Sequence, residues 1–144
     1  MAGHEAGSVA ARLLTGVSLS QERSFYLRLS GRENLIFFAR LRGYGLRDAR
    51  TAVGDLADEL ELGEFIDERA DTYSTGMILQ VALARALLGD PPLLLLDEPT
   101  RSLDAGAVER LWGAMDRRPD TALMIATHRE DDLERCDSSI ALPR

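Results

Sequence analysis

The stretch LLLLDEPTRSLD, residues 93–104, decides the fold. Its four leucines suit a strand that is buried on both faces, as in a parallel sheet covered by helices. Asp97 and Glu98 follow directly, and then Pro99, which cannot continue a hydrogen-bonded ladder. Both carboxylates are therefore expected at the carboxyl edge of a buried strand, which is the edge where open α/β sheets bind ligands.

These two carboxylates carry the first chemical prediction. Adjacent residues of a strand point to opposite sides, so Asp97 and Glu98 cannot do the same work. One of them can hold a hydrated Mg²⁺, and the other can orient or deprotonate an attacking water. A strand end whose acids are simply solvated is the plain alternative, and two carboxylates alone would favour it.

Length and composition set bounds on the rest. A chain of 144 residues suffices for one domain with a hydrophobic core. The net charge of −7 argues against a nucleic-acid partner, because phosphate backbones require concentrated positive charge. The single cysteine, Cys136, allows no internal disulfide and favours a reducing cytoplasm. No apolar run approaches the roughly 20 residues of a membrane span, and no signal peptide is evident.

Upstream of the leucine run the pattern is mostly helical. Residues 1–11 indicate a loose polar tail, and residues 13–19 indicate a short strand. Apolar residues at helical spacing then predict helices in three places. They are expected from a capping box at Ser30–Glu33 to Gly43, over residues 48–60, and from Ser74 to just before Gly89.

Downstream of the leucine run, helices and strands alternate. Asp104 is a suitable N-cap for a helix that ends before Pro119. Residues 122–126 predict an apolar strand that leads straight to His128, and an acidic helix and a last strand are expected over 130–135 and 138–142. Such alternation predicts a parallel sheet of βαβ units.

Several motifs now follow one another in a recognisable order. Residues 73–77, YSTGM, resemble the LSGGQ signature of the nucleotide-binding subunit of ATP-binding-cassette (ABC) proteins. Residues 81–104 resemble that family's signature helix, Walker B strand and D-loop, and residues 126–130, ATHRE, resemble its switch-histidine loop. Residues 20–43 resemble its Q-loop and the start of its helical subdomain, with Gln21 in the glutamine position. The resemblance is specific, because four motifs occur in family order.

The resemblance implies an α/β fold, namely part of the parallel sheet of a P-loop NTPase (RecA-like) together with a helical subdomain. It divides the chain into a tail and Q-loop strand over residues 1–20, a helical signature subdomain over 21–91, and a C-terminal RecA-like lobe over 92–144. That lobe would contain the Walker B strand, the D-loop and the switch histidine.

The resemblance also implies roles for the residues that follow strands. Asp97 would hold Mg²⁺ through water, and Gln21 would reach the metal and the water. Glu98 would polarise the hydrolytic water, and His128 would contact the γ-phosphate of ATP. Their plainer alternatives are solvated acids, a surface histidine, and a single glutamine in a polar loop.

A second group of residues would act across a dimer. The resemblance implies that Ser74, Thr75 and Gly76 touch the γ-phosphate of an ATP held by the opposite subunit, at a helix N-terminus that favours phosphate. Asp104 would line the dimer interface. Ordinary N-caps at Ser74 and Asp104 are the plainer alternatives.

ATP and Mg²⁺ are the implied cofactors. The implied partners are a membrane-spanning transporter subunit and either a second ABC ATPase subunit or a second copy of the chain. The implied location is cytoplasmic, peripheral to the inner face of the cell membrane. Membrane subunits choose the transported molecule, so this sequence does not identify the substrate.

The sequence departs from the family at the grip on the phosphates. The loop G-x-x-x-x-G-K-[ST], expected ahead of the Q-loop, is absent, and all 17 basic residues are arginines. A chain without lysine cannot supply the ammonium group that reaches the β- and γ-phosphates, and arginine is no easy substitute. The strand that leads to His128 would also have an unpaired apolar edge.

We therefore interpret the chain as an N-terminally truncated ABC export ATPase that is inactive alone. The main alternative is a non-catalytic module that offers its Ser74–Gly76 face to a full-length ABC ATPase or to a membrane subunit. A third hypothesis is an unrelated Mg²⁺-dependent hydrolase that uses Asp97 and Glu98.

Overall fold

The sheet has three parallel strands. A computed structural model of the protein describes residues 3–5, 7–20 and 24–141. The strands are β1 (Thr15–Ser18), β2 (Leu93–Asp97) and β3 (Ala122–Ala126), in the order β1-β2-β3. This arrangement confirms the α/β class and the parallel sheet, and it places the leucine run in the central strand.

Helices flank the sheet, and most of them start and end close to the predicted residues. In the described residues they are α1 (Val9–Leu13), α2 (Gly31–Leu41), α3 (Leu46–Glu59), α4 (Thr75–Leu87), α5 (Ala105–Asp116) and α6 (Glu130–Leu133), with a 3₁₀ turn at Ala70–Thr72. The capping box of α2 is confirmed, because Ser30 Oγ accepts from Glu33 N–H and Glu33 Oε2 accepts from Ser30 N–H. None of the helices described is long and apolar enough to cross a membrane.

One hydrophobic cluster joins the helices to the sheet. Leu35 of α2, Val53 of α3, Leu87 of α4 and Leu94 of β2 belong to it, and each is at most 2% exposed. Burial of this many side chains is the main favourable term in folding. The helical part and the strand part of the chain therefore share a core.

The leucine run is buried on one face only, which corrects the prediction of burial on both. Leu94 and Leu96 are buried, whereas Leu93 and Leu95 are half-buried. The reason is that α4 and α5 cover one face of the sheet, and no described helix covers the other to the same extent. Beyond β3 no further strand lies in the described residues, so the predicted unpaired edge is observed.

Two predictions near the ends of the chain are wrong. Val9–Leu13 is helical rather than part of a loose tail, and Ser8 caps it by accepting from Ala11 N–H at 3.1 Å. No strand occurs over residues 138–141, where Ile140 is 89% exposed, and Leu142 lies outside the described residues. A strand requires a neighbour for its hydrogen bonds, and this segment reaches neither edge of the sheet.

Candidate functional site

The ends of β2 and β3 bring two acids and an imidazole together. Asp97 ends β2 beside Ala126, the last residue of β3. Glu98 N–H donates to the Ala126 carbonyl at 2.8 Å, and Glu98 Oε1 lies 2.7 Å from His128 Nδ1. We call Asp97, Glu98 and His128 the strand-end cluster. It lies at the carboxyl edge of the sheet, where ligands of α/β proteins bind.

Glu98 leaves the strand instead of continuing it. Its φ of +49° lies in the left-handed region, which residues other than glycine rarely adopt. The alternation of side chains along a strand therefore does not set the direction of Glu98, and that part of the sequence argument is wrong. The side chain is 16% exposed, and its Oε2 is buried with no donor in the described chain. A buried carboxylate oxygen without a hydrogen-bond partner lowers the stability of the fold, so we expect this atom to bind a ligand.

Asp97 is held by a single residue, Ser20, which lies two residues after the end of β1. Its Oδ2 accepts from Ser20 Oγ at 2.6 Å and from Ser20 N–H at 3.3 Å. Sequence reasoning missed Ser20, although its place beside the predicted glutamine was a usable signal. Gln21 itself lies outside the described residues, so its predicted place at the metal has no structural description.

The carboxylate oxygens of this cluster are suitable ligands for a hydrated divalent cation. Mg²⁺ is bound in proteins by one or two carboxylates and otherwise by water and phosphate oxygens. Asp97 and Glu98 provide the carboxylates, including the buried unpartnered oxygen. Within the described residues no group of three or more His, Cys, Asp or Glu could hold a metal ion. A cation here would therefore depend on water and phosphate for its remaining ligands.

Asp132 of α6 ties the two strand-end loops together. It is 2% exposed, and its Oδ2 accepts from Thr100 Oγ1 at 2.7 Å and from Thr127 Oγ1 at 3.0 Å. Thr100 lies two residues after Glu98, and Thr127 directly precedes His128. Sequence reasoning missed this residue. The available signal was an acidic side chain in the helix that follows the histidine.

Ser74, Thr75 and Gly76 form the start of α4, which we call the helix-start turn. Ser74 Oγ accepts from Met77 N–H at 3.2 Å, as an N-cap does, and both Ser74 and Thr75 are exposed. A Cβ at residue 76 would lie 2.5 Å from the Ser102 carbonyl oxygen. The close approach of two backbone segments thus requires glycine at this position.

The segment that follows Glu98 leads to the N-cap of α5. Asp104 Oδ1 accepts from Ala107 N–H at 2.8 Å, which confirms the predicted N-cap of α5. The helix-start turn contacts this segment at Ser102. No hydrogen bond among the described residues joins the turn to the strand-end cluster. The structure thus brings the predicted residues together in two groups, not one.

Tyr73 positions the helix-start turn. Its hydroxyl donates to the Phe65 carbonyl at 2.8 Å and accepts from Gly31 N–H at 3.0 Å. Burial raises the pKa of Tyr73, so this hydroxyl keeps its proton over the neutral range. The first turn of α2 and the segment that leads into α4 are thereby held together.

Comparison with known proteins identifies the family. The family model described as ABC transporter matches residues 10–101. The chain is 31% identical to the ABC transporter ATP-binding protein NatA of Bacillus subtilis over 88% of its own length. It is 32% identical over 97% of its length to the daunorubicin/doxorubicin resistance ATP-binding protein DrrA of Streptomyces peucetius. The chain therefore belongs to the ABC transporter family.

The fold agrees with this membership. A dimeric post-hydrolysis structure of the ATP-binding cassette MJ0796, bound to ADP and Pi, matches with a TM-score of 0.71 at 20% identity, over 90% of this chain and 59% of the other. The α/β fold is therefore that of an ABC ATPase, a P-loop NTPase, as predicted. The chain spans about half the length of the curated relatives named above, 53% of NatA and 43% of DrrA.

Proposed function

We propose that this chain is the C-terminal part of an ABC export ATPase, and that a glycine-rich loop must be supplied from elsewhere before it hydrolyses ATP. The observation that carries the proposal is the strand-end cluster. Glu98 Oε1 lies 2.7 Å from His128 Nδ1, and the other Glu98 oxygen is buried with no donor among the described residues. This geometry suits a group that positions a water molecule beside a terminal phosphate.

Each member of the cluster has its own part in the proposed reaction. Asp97 would hold Mg²⁺ through water, and Gln21, which lies outside the described residues, would contribute to the same site; the cation would supply positive charge beside the phosphates. Glu98 accepts a hydrogen bond from the attacking water. Because Nδ1 of His128 faces Glu98, Nε2 is the atom left for a γ-phosphate oxygen.

The partners follow from the helix-start turn. Its exposed N-terminal end offers backbone N–H groups and the positive end of the α4 dipole to the phosphate of an ATP bound by a second ABC ATPase subunit. Asp104 would stand at that interface.

A membrane-spanning subunit would select the substrate, and the complex would work at the cytoplasmic face of the membrane. The division at residues 20/21 and 91/92 is part of this proposal.

The first experiment measures ATP binding and turnover by the 144-residue chain. We expect no ATPase activity and a calorimetric dissociation constant of about 1 mM or weaker, because no lysine reaches the phosphates. Micromolar affinity that is lost in Asp97→Asn would contradict this expectation.

The second experiment supplies the missing loop. A segment that carries the glycine-rich loop of a related ABC ATPase is expressed separately and mixed with the chain. Turnover should appear in the mixture and fall by at least about a hundredfold with Glu98→Gln. Arg101→Gln, which changes an exposed side chain just beyond the cluster, is the matched control and should retain turnover. Turnover that survives Glu98→Gln would refute the role given to Glu98.

The non-catalytic module is favoured by one observation. All three residues of the helix-start turn belong to this chain, Ser74 and Thr75 are exposed, and Ser74 caps the helix. A module would bind a full-length ABC ATPase or a membrane subunit through that turn and would not need Glu98. Binding that is lost with Thr75→Arg and kept with Glu98→Gln, without turnover in any mixture, would select this alternative.

A further inference from the structure

The end of the helix pair formed by α2 and α3 differs in charge from the rest of the chain. Residues 40–50, which we call the hairpin tip, read RLRGYGLRDAR and contain four arginines and one acid. The chain as a whole has a net charge of −7. Eight of these eleven residues are exposed. The tip is therefore a basic surface on an acidic chain, and such asymmetry is typical of proteins that bind anionic surfaces.

A tight turn brings two exposed leucines to the tip. Gly43 follows the end of α2 with a φ of +95°, in the left-handed region that glycine adopts readily. The Tyr44 N–H donates to the Ala39 carbonyl at 3.2 Å and closes the turn. Leu41 and Leu46, on either side of it, are 66% and 49% exposed. Two large apolar side chains thus lie among the arginines at one end of the helix pair.

Carboxylates do not neutralise the exposed arginines of the tip. Arg40 Nη1 donates to the Tyr44 carbonyl at 2.6 Å, and Arg47 and Arg50 lie about one turn apart on α3. None of the three arginines forms an ion pair within the part of the chain that the structure describes, whereas the arginines in and directly after α5 pair with glutamates. Their charge is available to an anion outside the chain.

The fourth arginine, Arg42, fixes the tip to the body of the molecule. Its guanidinium donates to the Leu88 carbonyl at 2.7 Å and to the Thr15 carbonyl at 3.0 Å. Leu88 caps the end of α4, and Thr15 begins β1. A tip that binds a surface therefore sets the orientation of the whole chain, with the acidic remainder turned away from anionic charge.

We propose that the hairpin tip binds the surface of an anionic lipid bilayer. Leu41 and Leu46 enter the boundary between headgroups and acyl chains, and the three exposed arginines contact lipid phosphates. A protein partner is less well matched, because a protein interface of standard size buries about 800 Å² on each side and needs complementary shape. A bilayer surface needs no complementary shape, so a small exposed turn with leucines between arginines is sufficient.

Vesicle flotation of the 144-residue chain tests the proposal. It uses neither ATP nor a membrane-spanning subunit, so its outcome is independent of the proposed function. We expect the chain to float with vesicles of phosphatidylcholine and phosphatidylglycerol and not with phosphatidylcholine alone. Raising the salt concentration from about 50 to about 300 mM should weaken binding by screening. Soluble glycerol phosphate, at the same concentration as the anionic headgroups, should not displace the chain, because it offers the leucines no acyl boundary.

Substitution of arginines tests the location of the binding surface. Arg47→Gln combined with Arg50→Gln should weaken vesicle binding at least about tenfold, because two charges near the lipid are lost. Arg28→Gln combined with Arg101→Gln is the matched control. It removes the same charge from two exposed arginines outside the tip, and Arg28 precedes the opposite end of α2. The control should bind as the unchanged chain does, and circular dichroism checks that every variant is folded.

A fluorescent label tests insertion of the apolar side chains. In a Cys136→Ser chain, the emission of an environment-sensitive dye on Leu41→Cys should shift to the blue when anionic vesicles are added. The same dye on Asp131→Cys, whose wild-type side chain is 84% exposed, should not shift. A chain that floats with neither kind of vesicle, or equally with both, overturns the proposal. Arginine variants of the tip that bind as well as the control overturn it too, as does an unchanged emission at residue 41.

Discussion

At the scale of single residues, the hydrogen bonds of Asp132 make its substitution costly. It is a buried carboxylate whose two hydrogen bonds come from Thr100 and Thr127, each beside a member of the strand-end cluster. Its exposure of 2% means that water cannot replace a lost partner. The distance between Glu98 and His128 therefore depends on a residue that touches neither.

We predict that Asp132→Ala lowers the free energy of unfolding by about 2–3 kcal/mol, because the buried hydroxyl of Thr100 and the half-buried hydroxyl of Thr127 lose their acceptor. Urea denaturation of the 144-residue chain measures this loss. Asp131→Ala is the matched control in the same helix, and its 84% exposed side chain predicts a change within about 0.5 kcal/mol. Equal effects of the two substitutions would contradict the assignment of Asp132 as the residue that ties the loops.

Local chemistry explains which residues could be predicted from sequence. The caps at Ser30, Ser74 and Asp104 depend on a side chain and a backbone group three residues away, so their spacing is visible in sequence. Contacts between distant segments are not visible in this way. The bond from Ser20 to Asp97 spans 77 positions, and the positive φ of Glu98 is set by the turn after β2.

At the scale of elements, a network of ion pairs joins the end of α3 to the end of α5. Arg118 donates to both Glu59 carboxylate oxygens, at 2.6 and 2.9 Å, and to Asp90 at 2.9 Å. The hydrogen bonds from Arg118 lower the pKa of Glu59, against the opposing effect of burial. Glu59 and Arg118 are 19% and 13% exposed, so solvent screens this pair less than an ordinary surface pair.

This network predicts a pH dependence of stability. The pKa of Glu59 is lower in the folded chain than in the unfolded chain. The ionised carboxylate therefore stabilises the fold fully at pH values above its unfolded-state pKa, and this stabilisation is lost as the pH falls through its folded-state pKa. We expect Glu59→Gln to cost about 2 kcal/mol at pH 7 and to remove part of the decline in stability below about pH 4.5. Denaturant titrations from pH 7 to pH 3 measure both effects.

Glu64→Gln is the matched control for this titration. Glu64 is exposed and forms no ion pair with another described residue. We expect its substitution to leave the stability at pH 7 and the acid slope close to those of the unchanged chain. An acid slope that is the same in Glu59→Gln and the unchanged chain would show that other carboxylates carry it.

The ends of a strand could be predicted from the sequence where a change in side-chain type marks them. β3 coincides with its apolar run, and β2 extends one residue beyond its four leucines, to Asp97; a charged or polar residue follows each run. The segment at 138–142 also contains apolar residues, but a strand needs a partner edge and sequence does not show which edges are within reach. The helix α1 was not predicted, because its five residues are too few for apolar residues to repeat at helical spacing.

At the scale of the whole molecule, the shared core matters more than the division into subdomains. The cluster that contains Leu35, Val53 and Leu87 also contains Leu94 of the central strand. Neither part can lose its packing without exposing side chains of the other. The chain is therefore expected to unfold as one cooperative unit.

Two probes test this expectation. Trp112 is the only tryptophan and lies in α5, so its fluorescence follows the C-terminal lobe, whereas circular dichroism at 222 nm weighs the helices of the preceding part. We expect the two denaturation curves to share one midpoint. Midpoints that separate would show that the segments before and after residue 91 unfold independently.

The contact between Gly76 and Ser102 has a mechanical consequence. A Cβ at residue 76 would meet the Ser102 carbonyl oxygen, which belongs to the main chain, so rotation of a side chain could not relieve the overlap. Movement of the first residues of α4 towards the Ser102 carbonyl is therefore limited by main-chain atoms, two residues before Asp104, the cap that starts α5. A displacement at the start of α4 would therefore reach the start of α5 through main-chain atoms, without a change in any side chain.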